Sequence, residues 1–375
     1  MTGTGIDGVA RATGVSTATV SRALRGLPGV SAATRDRVLA AAEELGYVPS
    51  SSAAHLASGR TMALGVLLPR IDEWYFAAAL EGVDRALRAA GYDLAVFSLG
   101  GSGRNRERVF HRSMLRKRID ALLVMCMELT PEELTALQQL DYPSLTVGGY
   151  VEGLRNVSID DAAAAGAAVD HLVSLGHRKI AYLAGGDGHG VHFSVPARRE
   201  AAFRRSLARH GLPVRPEWMV FGDFRFGAAK AAAERLLGVP GEHRPTAVFA
   251  SSDEMAFGVL AAAQERGVRV PEELSVIGID DHDFSGPLGL TTVRQDPREQ
   301  GSYAAELLLA ELRGGPAQPN PPWQPHRLVV RRSTGPPAGY VRSRRPGAPF
   351  PGGEETTAPK LFGGPVDFRS NRSTP

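Results

Sequence analysis

From residue 62 onward the chain alternates short apolar runs with amphipathic stretches. The apolar runs fall at 63–69, 92–98, 119–127, 143–147, 179–184, 247–250 and 274–279. Between them, apolar residues recur at helical spacing over 76–90, 106–117, 162–175, 199–209, 226–237, 254–266 and 298–313. A short apolar run bounded by polar positions predicts a strand buried on both faces. Strand–helix alternation then predicts right-handed βαβ units and parallel sheets. Seven or more such units exceed one sheet of ordinary size, so the expected body is two parallel-sheet α/β lobes.

Residues 1–48 have a different texture: short helices joined by tight turns, a small all-α head. Val9 and Ala10 supply the inner face of a first helix. Gly14 stands where the chain must turn, and a residue without Cβ takes a positive φ there. Val15 fills the corner, and Ser16 is positioned to cap a second helix through its hydroxyl. Val20 and Leu24 face inward on that helix, leaving Thr17, Ala18, Ser21 and Arg22 outward. A third helix follows Ser31, with Val38, Leu39, Ala42 and Leu45 expected on one buried stripe. A small, hydroxylic, arginine-bearing outer face suits the major groove of DNA: short side chains permit close approach, and an arginine can grip guanine with two hydrogen bonds.

Composition sharpens this picture. The formal net charge is only +3, but residues 1–60 and 335–375 each carry a positive surplus while the middle is mildly acidic, which suits a polyanion at one end. The single cysteine, Cys126, cannot form an internal disulfide and sits in an apolar run, as a buried inert thiol does. No secretory leader and no membrane span are expected, so the reading is a cytoplasmic protein without membrane contact. Residues 49–61 read as a linker. Residues 335–375, rich in Pro, Gly, Arg and Ser, read as a disordered tail without the leucine heptads of an oligomerising coil.

Val9-Ala10, Gly14-Val15-Ser16, Thr19-Val20-Ser21-Arg22-Ala23-Leu24, Val30-Ser31, Thr34-Arg35, Val38 and Glu44-Leu45-Gly46-Tyr47-Val48-Pro49 closely resemble the lactose/galactose-repressor (LacI/GalR) family. The resemblance runs on to Thr334, with His171-Leu172, Gly176-His177-Arg178 and Leu290-Thr291-Thr292-Val293 as structural landmarks. It implies a sequence-specific transcriptional regulator, a repressor, whose body resembles periplasmic sugar-binding proteins and binds a small-molecule effector between its lobes. Thr17, Ala18 and Arg22 would read bases, with Ser16, Thr19, Ser21, Ser31 and Thr34 near phosphates. In the family a linker segment forms a short helix on the operator and wedges a leucine into the minor groove, which here assigns Ala53 and Leu56. Gly5 and Gly8 replace the family's usual Thr and Asp, so the first helix is expected to be poorly capped. Ser50 and Ala54 likewise replace an Asn and an Arg. One helix-turn-helix reads too few base pairs to be selective, so a homodimer on a near-palindromic operator is expected.

The loops after the strands carry the effector chemistry. Asp72, Trp74 and Phe76 follow the first strand, and an acid beside aromatic faces suits a polyol, whose C–H faces stack on rings. By resemblance Asp161, Arg199, Ser252, Asp253 and Asp280 complete a carbohydrate pocket. Gly148-Gly149 stand where the family has an Asp-Arg pair, which is expected to open space there. Enzyme readings are weak. Asp160-Asp161 and Asp280-Asp281 are adjacent pairs whose side chains should diverge, Ser251-Ser252-Asp253 lacks a nucleophile elbow, and His189 and His192 do not have metal-ligand spacing. No catalytic residue, metal or cofactor is assigned. The body alone could be a plain sugar receptor; the head and the missing leader separate the two readings. The expected organisation is a DNA-binding head over 1–48, a hinge over 49–61, an effector-binding and dimerising body over 62–334 and a tail over 335–375.

Overall fold

The computed structural model describes residues 5–47, 60–99, 103–110, 115, 117–186, 194–319 and 321–339. Ala53 and Leu56 of the expected hinge, and the expected tail from residue 340, lie outside the described residues.

The head has α1 (Ile6–Thr13), α2 (Thr17–Leu24) and α3 (Ala32–Glu44). Gly14 closes α1 at φ 68°, which a residue without Cβ adopts freely. Gly5 at the other end supplies no side-chain cap, as its substitution leads one to expect. Val9, Val20, Ala23, Val38 and Ala42 form a small buried core. Leu39 and Leu45 are not in it: they are 46% and 37% exposed. A three-helix head is too small to bury more than one narrow stripe of its third helix, so the wider stripe read from the sequence is a correction.

The first lobe is a parallel sheet in the order β2-β1-β3-β4-β5. Its strands are β1 (Ala63–Leu68), β2 (Asp93–Ser98), β3 (Ala121–Met125), β4 (Ser144–Val147) and β5 (Arg155–Val157). The central β3 is buried throughout, whereas edge strand β2 is half exposed; a strand covered on both faces needs no polar alternation. The helices of this stretch are α4 (Trp74–Ala90), α5 (Gly103–Phe110) and α6 (Pro131–Gln138). The helix expected over 106–117 is already under way at Gly103, and residues 111–114 and 116 of that stretch lie outside the described residues.

The second sheet has the order β11-β10-β9-β8-β6-β7, parallel except for β10 against β11. It comprises β6 (Ile180–Ala184), β7 (Met219–Phe221), β8 (Ala247–Ala250), β9 (Ser275–Asp280), β10 (Thr291–Arg294) and β11 (Arg327–Val329). Its helices are α7 (Asp161–Ser174), α8 (Ser194–Arg209), α9 (Phe226–Leu237), α10 (Asp253–Glu265) and the short α11 (Ser285–Leu288). The chain then returns to the first lobe as α12 (Pro297–Leu312), whose Ala304, Ala305, Leu308 and Leu309 join the core beneath α4. It crosses back before β11. The crossover segments run side by side, with Ile159 bridged to Gln324.

The expected tail boundary at 335 moves. Gly335 O accepts hydrogen bonds from His177 Nε2 (2.8 Å) and Ser275 Oγ (3.0 Å), so this residue still belongs to the fold. His177 is fully buried, and burial holds its imidazole near pKa 4, a neutral structural group.

Candidate functional site

In the head, both helix starts use the same device. Ser16 Oγ accepts from Thr19 N (3.2 Å) and lies 2.9 Å from Thr19 Oγ1. Ser31 Oγ accepts from Thr34 N (3.3 Å) and lies 2.9 Å from Thr34 Oγ1. These hydroxyls satisfy otherwise orphaned amides and fix where α2 and α3 begin. Thr17, Ala18 and Arg22 are exposed and Ser21 is half-buried. Neighbouring arginines are engaged with backbone carbonyls, Arg25 with Ser21 O (3.2 Å) and Arg35 with Leu27 O (2.9 Å). Arg22 makes no hydrogen bond or ion pair among the described residues.

A cleft of about 70 Å³ lies between the lobes at the C-terminal ends of their strands. Trp74, Phe76, Asp161, Arg199, Ser252 and Asp280, all expected from the sequence, line it. Arg199 is the organising cation: Nε donates to Asp161 Oδ1 (2.8 Å) and Nη1 to Ser251 O (2.5 Å). Asp280 Oδ1 accepts from Gln295 Nε2 (2.7 Å), and Asp280 Oδ2 accepts from Asp253 N (3.4 Å). Burial holds the Asp280 carboxyl well above the usual range, the charge of Asp253 adds to this, and Arg199 opposes it. At the end of β9 the backbone is itself unusual, with Asp280 at φ 138° and Asp281 at φ 60°. The adjacent acids do diverge: Asp281 accepts from Arg331 Nη2 (2.5 Å), away from the cleft. Asp160 caps α7 through Ala162 N and Ala163 N, while Asp161 turns to Arg199.

Three sequence expectations need correction. Asp253 does not line the cleft: its carboxylate, fully buried, accepts from Ser285 Oγ (2.6 Å), Thr292 Oγ1 (2.6 Å) and His282 N (3.0 Å). It ties three segments together beneath the site. Asp72 is at the rim, paired with Arg225 across the lobes at 3.5 Å, and its side chain is 64% exposed. Gly148 opens no space. At φ 71° it is covered by the Tyr75 hydroxyl and the Cys126 sulfur, and a Cβ there would collide with both.

Sequence reasoning missed other lining residues: Glu73, Tyr75, Cys126, Ser158, Ile159, Val195, Phe224, Glu254, His282 and Gln295; Gly148, which it did place here, lines the cleft by its backbone. Cys126, Ser158, His282 and Gln295 each sit just past a strand end, and that position was the available signal. Burial pushes the Cys126 thiol up, as an inert thiol requires. Burial also raises Glu73 to about 7, against the opposing charge of Arg70.

The lobes are joined at the cleft by named contacts. Arg70 donates to Asp223 Oδ2 and Asp223 O, both at 3.3 Å, and Trp74 Nε1 donates to Asp283 Oδ2 (3.0 Å). The Trp74 ring lies 4.7 Å from that of His282. A relay runs from Tyr75 Oη to Gln300 Oε1 (2.9 Å), from Gln300 Nε2 to Gln295 Oε1 (3.0 Å), and from Gln295 to Asp280.

Residues 5–50 match the model of bacterial regulatory proteins of the lacI family, and residues 169–334 match that of the periplasmic binding protein-like domain. Catabolite control protein A of Priestia megaterium is 33% identical over 333 residues, spanning 87% of this chain and 98% of that protein. The transcriptional repressor PurR of Vibrio parahaemolyticus is 35% identical over 317 residues, 82% of this chain and 92% of the repressor. Among solved structures, the lac repressor dimer bound to operator and an anti-inducer superposes with a TM-score of 0.76 at 28% identity, covering 88% of this chain and 98% of that one. The regulator CelR in complex with cellobiose gives 0.63 at 28% identity, over 88% and 99%.

Proposed function

The chain belongs to the lacI family of bacterial regulatory proteins, and on that premise we propose how it works. It is a repressor that binds a near-palindromic operator as a homodimer and releases or tightens its grip when a carbohydrate enters the cleft. Thr17, Ala18 and Arg22 read bases. Ser16, Thr19, Ser21, Ser31 and Thr34 set the helix starts against phosphates, and Ala53 and Leu56 form the minor-groove wedge. Asp161, Arg199, Ser252 and Asp280 hold the effector's hydroxyls, with Trp74 and Phe76 beside its apolar faces. A regulator of bacterial genes acts in the cytoplasm. Among the described residues no helix is long and apolar enough to cross a membrane.

The observation that carries this reading is the cleft's composition. Its lining comes from the first lobe (Trp74, Phe76), the second (Arg199, Asp280) and the crossovers (Ser158, Gln295). A ligand that touches all three has a different affinity for each relative orientation of the lobes, and that difference is what allosteric control requires. The relatives are transcriptional regulators rather than enzymes, and the buried acids here are engaged by Arg199 and Gln295.

The DNA half is tested by Arg22→Ala. Electrophoretic shifts on the operator recovered by selection from random duplexes should show a loss of about 1–3 kcal/mol, with little change on scrambled DNA. Equal weakening on both duplexes would make Arg22 a phosphate contact and overturn the base-reading role.

A further inference from the structure

We propose that the cleft selects its ligand by charge, taking a neutral or amine-bearing carbohydrate and rejecting phosphorylated ones, with Glu254 as the principal filter. The inference rests on the cleft being the effector site. Helix N-termini ordinarily attract phosphate, because free amides and the helix dipole point at the ligand. Four helices begin at this cleft, and three of them already hold acids of the protein's own. Glu73 stands at the N-cap of α4, Asp161 opens α7, and Asp253 and Glu254 open α10.

Several of the first-turn amides are also spent. Asp160 takes those of Ala162 and Ala163, Ser252 takes that of Met255, and Asp280 that of Asp253. Glu254, from the second lobe, accepts from the backbone amide of Trp74 at the start of α4. The fourth helix, α8, has no acid in its first turn. Its contribution is Arg199, whose charge is matched by Asp161 and whose Nε and Nη1 are occupied.

An incoming phosphate therefore meets Glu73, Asp161, Glu254 and Asp280 against two guanidiniums, Arg199 in the lining and Arg70 behind Glu73, in a site where burial weakens dielectric screening. A hydroxyl or ammonium group meets carboxylate acceptors instead, and the rings of Trp74 and Phe224 favour a cation further. Glu254 is half-buried and bound to no arginine or lysine side chain by an ion pair among the described residues. Of the four acids only Asp280 shares that lack of an ion pair, and Asp280 is the more deeply buried and is held by Gln295.

The test uses the full-length protein in thermal shift, followed by calorimetry at pH 7.5. The probes are glucose, galactose, mannose, cellobiose and glucosamine, with glucose, galactose and mannose 6-phosphates as matched anions. The expected result is stabilisation by at least one unphosphorylated sugar, with its phosphate bound at least about tenfold more weakly. Glu254→Gln should narrow that gap by about threefold or more. A phosphate that binds as well as its parent sugar would overturn the charge filter and keep the cleft as effector site. An unchanged gap in Glu254→Gln would overturn the role of Glu254. Stabilisation by no probe at all would overturn the carbohydrate reading and this inference with it.

Discussion

Glu73 occupies an awkward place for an acid: beside Arg70, at the start of a helix, and almost fully buried. Burial wins, and its carboxyl rises to about 7. The folded chain therefore keeps a proton that the unfolded chain releases near pH 4.5. That contribution to stability is present in full at low pH and is lost as pH rises through about 7. Glu73→Gln removes the titration. Its melting temperature relative to the parent should improve from pH 5 to pH 8, by the equivalent of up to about 3 kcal/mol. A gap that stayed constant across that range would contradict the assignment. At this scale the sequence was partly legible. Asp161, Arg199 and Asp280 could be picked from the family resemblance, and Asp161 and Asp280 also from their place where a strand gives way to the cleft. Asp253 looked the same and is not, because its partners Ser285 and Thr292 lie 32 and 39 residues downstream. Gly148 misled for a related reason: what fills its space comes from Tyr75 and Cys126, in other loops.

The pairing of α4 with α12 shows what periodicity hides at the scale of elements. Both helices could be read from their apolar spacing, to within two residues at each end. Their contact could not. A Cβ on Gly82 would strike the carbonyl of Arg298, and one on Gly301 would strike that of Ala79, so the helices cross backbone against backbone. Arg298 then reaches Glu81 (2.6 Å) and Asp283 (3.3 Å), binding the crossing to the cleft rim. Gly82→Ala gains helix propensity of about 1 kcal/mol yet should destabilise the chain by about 1–3 kcal/mol through overpacking. Gly227→Ala, in α9 with nothing within 4 Å of a new Cβ, is the control and should be neutral or stabilising. Equal melting temperatures for the two variants would mean that the close crossing does not matter. The short strands β5, β7 and β11 escaped the sequence reading because three residues at a sheet edge carry no usable alternation. The helix Pro131–Gln138 escaped it too, although its Thr130–Glu133 capping box was visible in the sequence.

For the molecule as a whole, the two lobes and the cleft were foreseeable from strand count and the switch-point rule, whereas the contacts between lobes were not. Arg70 with Asp223, Trp74 with Asp283 and Tyr75 with Gln300 join residues more than 150 apart in sequence, and Gln300 and Gln295 carry the last of these on to Asp280. On the proposed reading, a ligand on Asp280 would act through them on α12 and α4, and so on the first lobe. The central claim is that the cleft and the operator share one free-energy balance. Fluorescence anisotropy of the full-length chain on its selected operator, with and without a saturating concentration of the sugar that the cleft retains, measures that balance. Operator affinity should change by about 5–150-fold, and Asp280→Asn should abolish the change while leaving ligand-free operator affinity intact. An operator affinity that stayed the same at ligand saturation would contradict the account.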